Sequence, residues 1–85
     1  MKYLVLATGL SLTAMPAFAE PSCTPGEALK PVWEAIKAFE DANGEVLKFK
    51  INDGGCYEVY GKLDGVKMEV FYDPNTGQEI DRIES

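Results

Sequence analysis

The alternation of apolar and polar residues changes period once along this chain, at Asn43-Gly44. Before that point Leu29, Val32, Trp33, Ile36 and Phe39 recur at helical intervals. Ala35, Ala38 and Ala42 widen the stripe, and Lys30, Glu34, Lys37 and Asp41 fall opposite. This is the pattern of an amphipathic helix whose stripe, Trp33 and Phe39 included, forms a core face. Thr24-Pro25-Gly26-Glu27 has the spacing of a capping box with proline in the first helical position. Pro31 would kink a helix begun there. The pattern therefore favours a helix regular from about Pro31 after a loose turn. Asn43-Gly44 supplies the stop, with the glycine expected in the left-handed conformation.

After Gly44 the period is two. Leu47, Phe49 and Ile51 alternate with Lys48 and Lys50. Tyr57, Val59 and Leu63 share a parity, and Val66, Met68, Val70 and Tyr72 share another. These are three strands. Asp64-Gly65 suits a two-residue type I′ turn, which pairs Leu63 with Val66, Gly61 with Met68, Val59 with Val70 and Tyr57 with Tyr72. A three-residue loop at Asp53-Gly54-Gly55 pairs Ile51 with Tyr57, Phe49 with Val59 and Leu47 with Gly61. A slip of one residue would set Phe49 against Glu58 and break the apolar face. Asp73-Pro74-Asn75-Thr76-Gly77 is a further turn. Gln78–Ile83 is either a fourth strand or an extended tail. The expected fold class is α+β: one helix packed on a three- to four-stranded antiparallel meander.

The first nineteen residues fall outside this pattern. Lys2, the uncharged run Tyr3–Met15, Pro16 and Ala17-Phe18-Ala19 have the three parts of a secretory signal cleaved after Ala19. The run is shorter than the ~20 apolar residues that span a bilayer, so no membrane insertion is expected after cleavage. The expected organisation is a leader at 1–19, an N-terminal arm at 20–29 and a domain at 30–85, in the periplasm or secreted. The chain's formal charge is −6. With no basic cluster to offset it, this excludes nucleic acid as a partner. The absence of histidine removes the commonest metal ligand and general base.

Two cysteines in a small exported domain pair as a rule, so Cys23 and Cys56 are read as a disulfide tying the arm to the second strand. The alternative is a thiol enzyme using Cys56, but no C-x-x-C motif and no neighbouring base supports a reactive thiol. Asp73–Glu79 has oxygen ligands at alternate positions but lacks the sixth-place glycine and twelfth-place glutamate of a calcium loop, so it reads as a turn. Glu40 with Asp41, and Glu58 with Glu69, read as solvated charges. No catalytic residue, metal site or cofactor is expected. On the outward face Tyr60 and Phe71 are flanked by Glu58, Lys62, Lys67 and Glu69. They are covered by the arm or form a contact surface.

Tyr57-Glu58-Val59, Met68-Glu69-Val70-Phe71-Tyr72 and the Asp73–Glu79 turn, over roughly residues 30–82, resemble the small stand-alone periplasmic members of the PepSY domain family. The Cys23/Cys56 pair is similar to that of the exported subgroup. The resemblance implies a helix-on-antiparallel-sheet fold and a role in restraining or binding peptidases, although the long inhibitory segments of protease propeptides are not present in this chain. The functional expectation is a non-enzymatic exported binding or regulatory module, peptidase-inhibitor-like, with an envelope protein or peptidase as partner. Its expected contacts are Tyr60, Phe71, Asp73 and Asn75. A small structural envelope protein is the remaining alternative.

Overall fold

The computed structural model describes residues 19–85; the expected leader lies, but for Ala19, outside the described residues. One helix, α1 (Val32–Asp41), precedes four strands: β1 (Gly44–Ile51), β2 (Tyr57–Leu63), β3 (Val66–Tyr72) and β4 (Glu79–Glu84). The strands form a single antiparallel sheet in the order β1-β2-β3-β4, so Gln78–Ile83 falls largely within a fourth strand. Among the described residues no helix is long and apolar enough to cross a membrane.

The β2–β3 hairpin has the register expected from its alternation, including Leu63↔Val66, Gly61↔Met68, Val59↔Val70 and Tyr57↔Tyr72. Asp64 and Gly65 both take positive φ, as a type I′ turn requires. In the β1–β2 hairpin Ile51↔Tyr57 and Phe49↔Val59 also hold. The Asn52 side chain closes the loop between them by accepting the Cys56 N–H at 2.8 Å, with Gly55 left-handed. Gly61, however, pairs with Val46 and not with Leu47, because a bulge at Leu47 shifts the register. The extra residue bends the strand as it leaves the helix.

Pro31 is the residue before the helix, and no side chain caps it. The capping box at Thr24 does not form; residues 24–30 are irregular. At the other end Asn43, not Gly44, takes the left-handed conformation. The core lies between α1 and the sheet, built from Ala35, Phe39, Tyr57, Val59, Leu63, Val70 and Tyr72. The helix contacts β1 and β2, so only part of its apolar stripe is covered. Trp33, expected in the core face, is 60 % exposed, and Leu29 and Val32 are exposed beside it.

The arm wraps one end of the sheet. The Cys23 N–H donates to the Gly54 carbonyl at 2.8 Å, and Asn52 Nδ2 donates to the Pro21 carbonyl at 3.1 Å. The arm then passes the β3–β4 turn, where the Lys30 N–H donates to the Pro74 carbonyl at 2.8 Å. It reaches the helix under Tyr57, whose hydroxyl donates to the Lys30 carbonyl at 2.7 Å. Cys23 and Cys56 are bonded, with Cα atoms 5.1 Å apart, and no cysteine is free among the described residues.

Candidate functional site

Strand parity divides the molecule into two surfaces. β1 is one of the two edge strands of the sheet, β4 the other. Glu34 and the Lys30 stem lie beside Gly77, at the β3–β4 turn. Away from that flank Val32 and Trp33 are exposed and Ile36 is half-buried. Leu47 and Ile51 on β1 are exposed, Ile51 to 57 %. Phe49 is half-buried and packs edge-on against Tyr57, ring centroids 5.6 Å apart. Exposed apolar side chains thus stand both on the helix and on the edge strand β1. Helix periodicity identified all of these helix residues but assigned them to the core. A ten-residue helix centred on β1 and β2 cannot bury a stripe that wide.

On the outer side Glu58 and Tyr60 share a parity on β2, continued by Cys56 just before the strand, with Glu69 and Phe71 opposite on β3. Cover by the arm and a contact surface were the two readings of this face, and the arm, tied down by the disulfide, lies across it. Phe71, expected as a partner contact, is fully buried, as is Cys56, and neither is available to a partner. Asp73 and Asn75, also expected as contacts, work inside the fold. Asp73 Oδ1 accepts the Asn75 N–H, Asn75 Oδ1 accepts the Gly26 N–H, and Asn75 Nδ2 donates to the Thr24 carbonyl. They anchor the arm to the β3–β4 turn. Tyr60 is half-buried at the wall of a pocket of about 300 Å³, shared with Glu20, Lys48, Lys50, Glu58 and Glu69.

Glu58, expected as a solvated charge, is 5 % exposed. Its Oε1 has no hydrogen-bond partner, and the nearest cation, Lys50 Nζ, is 4.0 Å away. Glu20, Glu58 and Glu69 each place a carboxylate oxygen within 4.8 Å of the others. Burial first, then the Glu20 charge, push the Glu58 carboxyl up to about 7; Lys50 opposes the rise and Glu69 adds to it. Unfolded glutamate ionises near pH ~4.3. Between those values the folded state holds a proton that the unfolded chain has released, so stability falls as pH rises. In chelated buffer, urea melts should show a more stable protein at about pH 5 than at about pH 8, and Glu58→Gln should remove most of the difference. Equal pH dependence in the two proteins would mean that Glu58 is not the group responsible.

Both cysteines are joined in the disulfide, and the chain has no histidine. No curated protein and no solved structure matches the chain. A PepSY family model, described as the peptidase propeptide and YPEB domain, matches residues 3–83. The match takes in the arm, the helix and nearly all of the sheet, and with it the chain belongs to the PepSY family.

Proposed function

We propose that this chain is an exported, non-enzymatic binding module of the peptidase-inhibitor type, and that it engages its partner through the β1 edge and the exposed apolar residues of the helix. The observation that carries this reading is the exposure of Trp33 and Val32 on the helix and of Leu47 and Ile51 on an edge strand with one side unpaired. An extended segment of a peptidase can add to such an edge through main-chain hydrogen bonds, while the exposed apolar residues take alternate side chains. Lys48, Lys50 and the Leu47 bulge are also the devices by which a sheet edge resists self-pairing, which suits a surface kept for a specific partner. The family description, peptidase propeptide, supports a peptidase as that partner. The disulfide suits an oxidising compartment, and a leader at residues 1–19 would deliver the chain there.

A photo-crosslinking residue at Ile51, compared with one at Glu40 on the solvent side of the helix, tests the surface in the intact envelope. Peptidase adducts are expected from position 51 and not from position 40. Trp33→Ala should weaken the captured complex about tenfold while changing stability by less than about 1 kcal/mol, since the ring is mostly in water. Identical adducts from both positions, or none, would remove the edge as the docking surface.

A further inference from the structure

The pocket on the outer face is not used by the proposed edge contact, and its chemistry is different. We propose that Glu20, Glu58 and Glu69 form a binding site for a hard divalent cation of the calcium class, which clasps the arm to the sheet beside the disulfide.

Two independent observations point to it. The first is spacing: the three carboxylates each offer an oxygen within 4.8 Å of the other two. An ion equidistant from three oxygens so spaced sits no more than about 2.8 Å from each, a few tenths of an ångström beyond the calcium–oxygen distance of about 2.3–2.6 Å, so a small inward shift of the side chains lets a single ion reach all three. The second is the Glu58 side chain. It is 5 % exposed, it lines the pocket, and its Oε1 is buried without a hydrogen-bond partner. A buried carboxylate oxygen with no donor is costly unless something positive meets it. Lys50 does so only weakly, at 4.0 Å and half in solvent, and it is free to swing away.

The donor set fixes the class of ion. All three ligands are carboxylates, with no imidazole or thiolate among them, which suits calcium and its hard neighbours and not zinc or copper. The pocket has room for waters to complete the shell of six to eight oxygens that calcium takes. The three ligands come from different parts of the fold: Glu58 from β2, Glu69 from the neighbouring β3, and Glu20 from the arm. Glu20 lies three residues before Cys23, and Glu58 two after Cys56, so the disulfide delivers Glu20 to the site. The cation and the sulfur bridge hold the same junction.

The test is calcium chloride titrated into the chelator-treated, disulfide-bonded protein, followed by thermal melting and by equilibrium dialysis for stoichiometry. One ion per chain and a melting temperature that climbs with calcium are expected. Glu58→Gln and Glu20→Gln should each weaken calcium binding about tenfold or more, whatever they do to the calcium-free melting point. Glu40→Gln, on the helix and away from this face, should leave the calcium increment unchanged. Absence of a calcium-dependent shift overturns the proposal. So does an increment that survives Glu58→Gln, or one that Glu40→Gln reduces equally, because that is diffuse screening of an acidic chain. A larger increment with magnesium chloride overturns the calcium assignment.

Discussion

Replacing Cys23 and Cys56 together by serine is expected to lower folding stability by about 3–4 kcal/mol, and the melting temperature by roughly 15–25 °C. The bond closes a loop of 33 residues that holds the helix, β1 and the first hairpin turn. On the chain-entropy account a loop of that length sets the size of the effect. In a domain this small, that is a large part of the whole margin. A second loss adds to it. Without the bond the arm keeps hydrogen bonds to the two turns and to Tyr57, among them Cys23 N–H to Gly54, Gly26 N–H to Asn75 and Asn75 to Thr24. As the arm frays, Phe71 and residue 56, both now fully buried, meet water. The double variant should therefore be cut by protease within the arm before the sheet opens, and should bind a hydrophobic dye that the native protein does not. Guanidinium melts and limited proteolysis check both points. A double serine variant within about 1 kcal/mol of the parent would mean that hydrogen bonds alone hold the arm.

The parts of the fold that sequence reasoning read well are those governed by one short-range rule. A period of two, with Asp64-Gly65 and Gly55 at the turns, leaves a single register that keeps Val59, Val70, Tyr57 and Tyr72 on one face. The misreadings arose where a distant segment intervenes. Parity placed Glu58 and Phe71 correctly on the outer face, and the cysteine pairing offered the arm as cover for it, but the solvated reading of Glu58 and the contact reading of Phe71 did not take that cover into account. Their burial follows from the disulfide. The pairing of Cys23 with Cys56 was legible, and its corollary, that Glu20 must then approach Glu58, could have been drawn from the same two numbers. Asp73 and Asn75 were read as partner contacts, yet the arm takes up the Asn75 amide and Asp73 accepts the Asn75 N–H. Trp33 was misplaced for the opposite reason. The stripe repeats at helical spacing, but how much of it is covered depends on the width of sheet under a ten-residue helix, a quantity periodicity does not contain. The bulge at Leu47 has no sequence signal that we recognise.

The contact between helix and sheet makes the second large prediction. Gly61→Ala should destabilise the protein by about 3 kcal/mol or more. Gly61 stands on the helix-facing side of β2, opposite Val46 and Met68. A Cβ there would run into the backbone carbonyl of Glu45 and come within 2.9 Å of the Phe39 ring. Phe39 is the largest fully buried side chain of the helix, and it sits over this glycine. The ring can shift, but the carbonyl cannot without moving β1, so the strand pair must part or the helix must lift. Shrinking the ring should therefore not rescue the variant: Gly61→Ala with Phe39→Leu should remain at least as unstable as Gly61→Ala alone. Gly65→Ala is the control. That glycine has φ 83° but nothing within 4 Å of the added carbon, so only backbone strain is felt, about 1 kcal/mol. Urea melts of the four proteins decide the matter. If Phe39→Leu restores Gly61→Ala, the ring and not the carbonyl sets how closely the helix can approach the sheet.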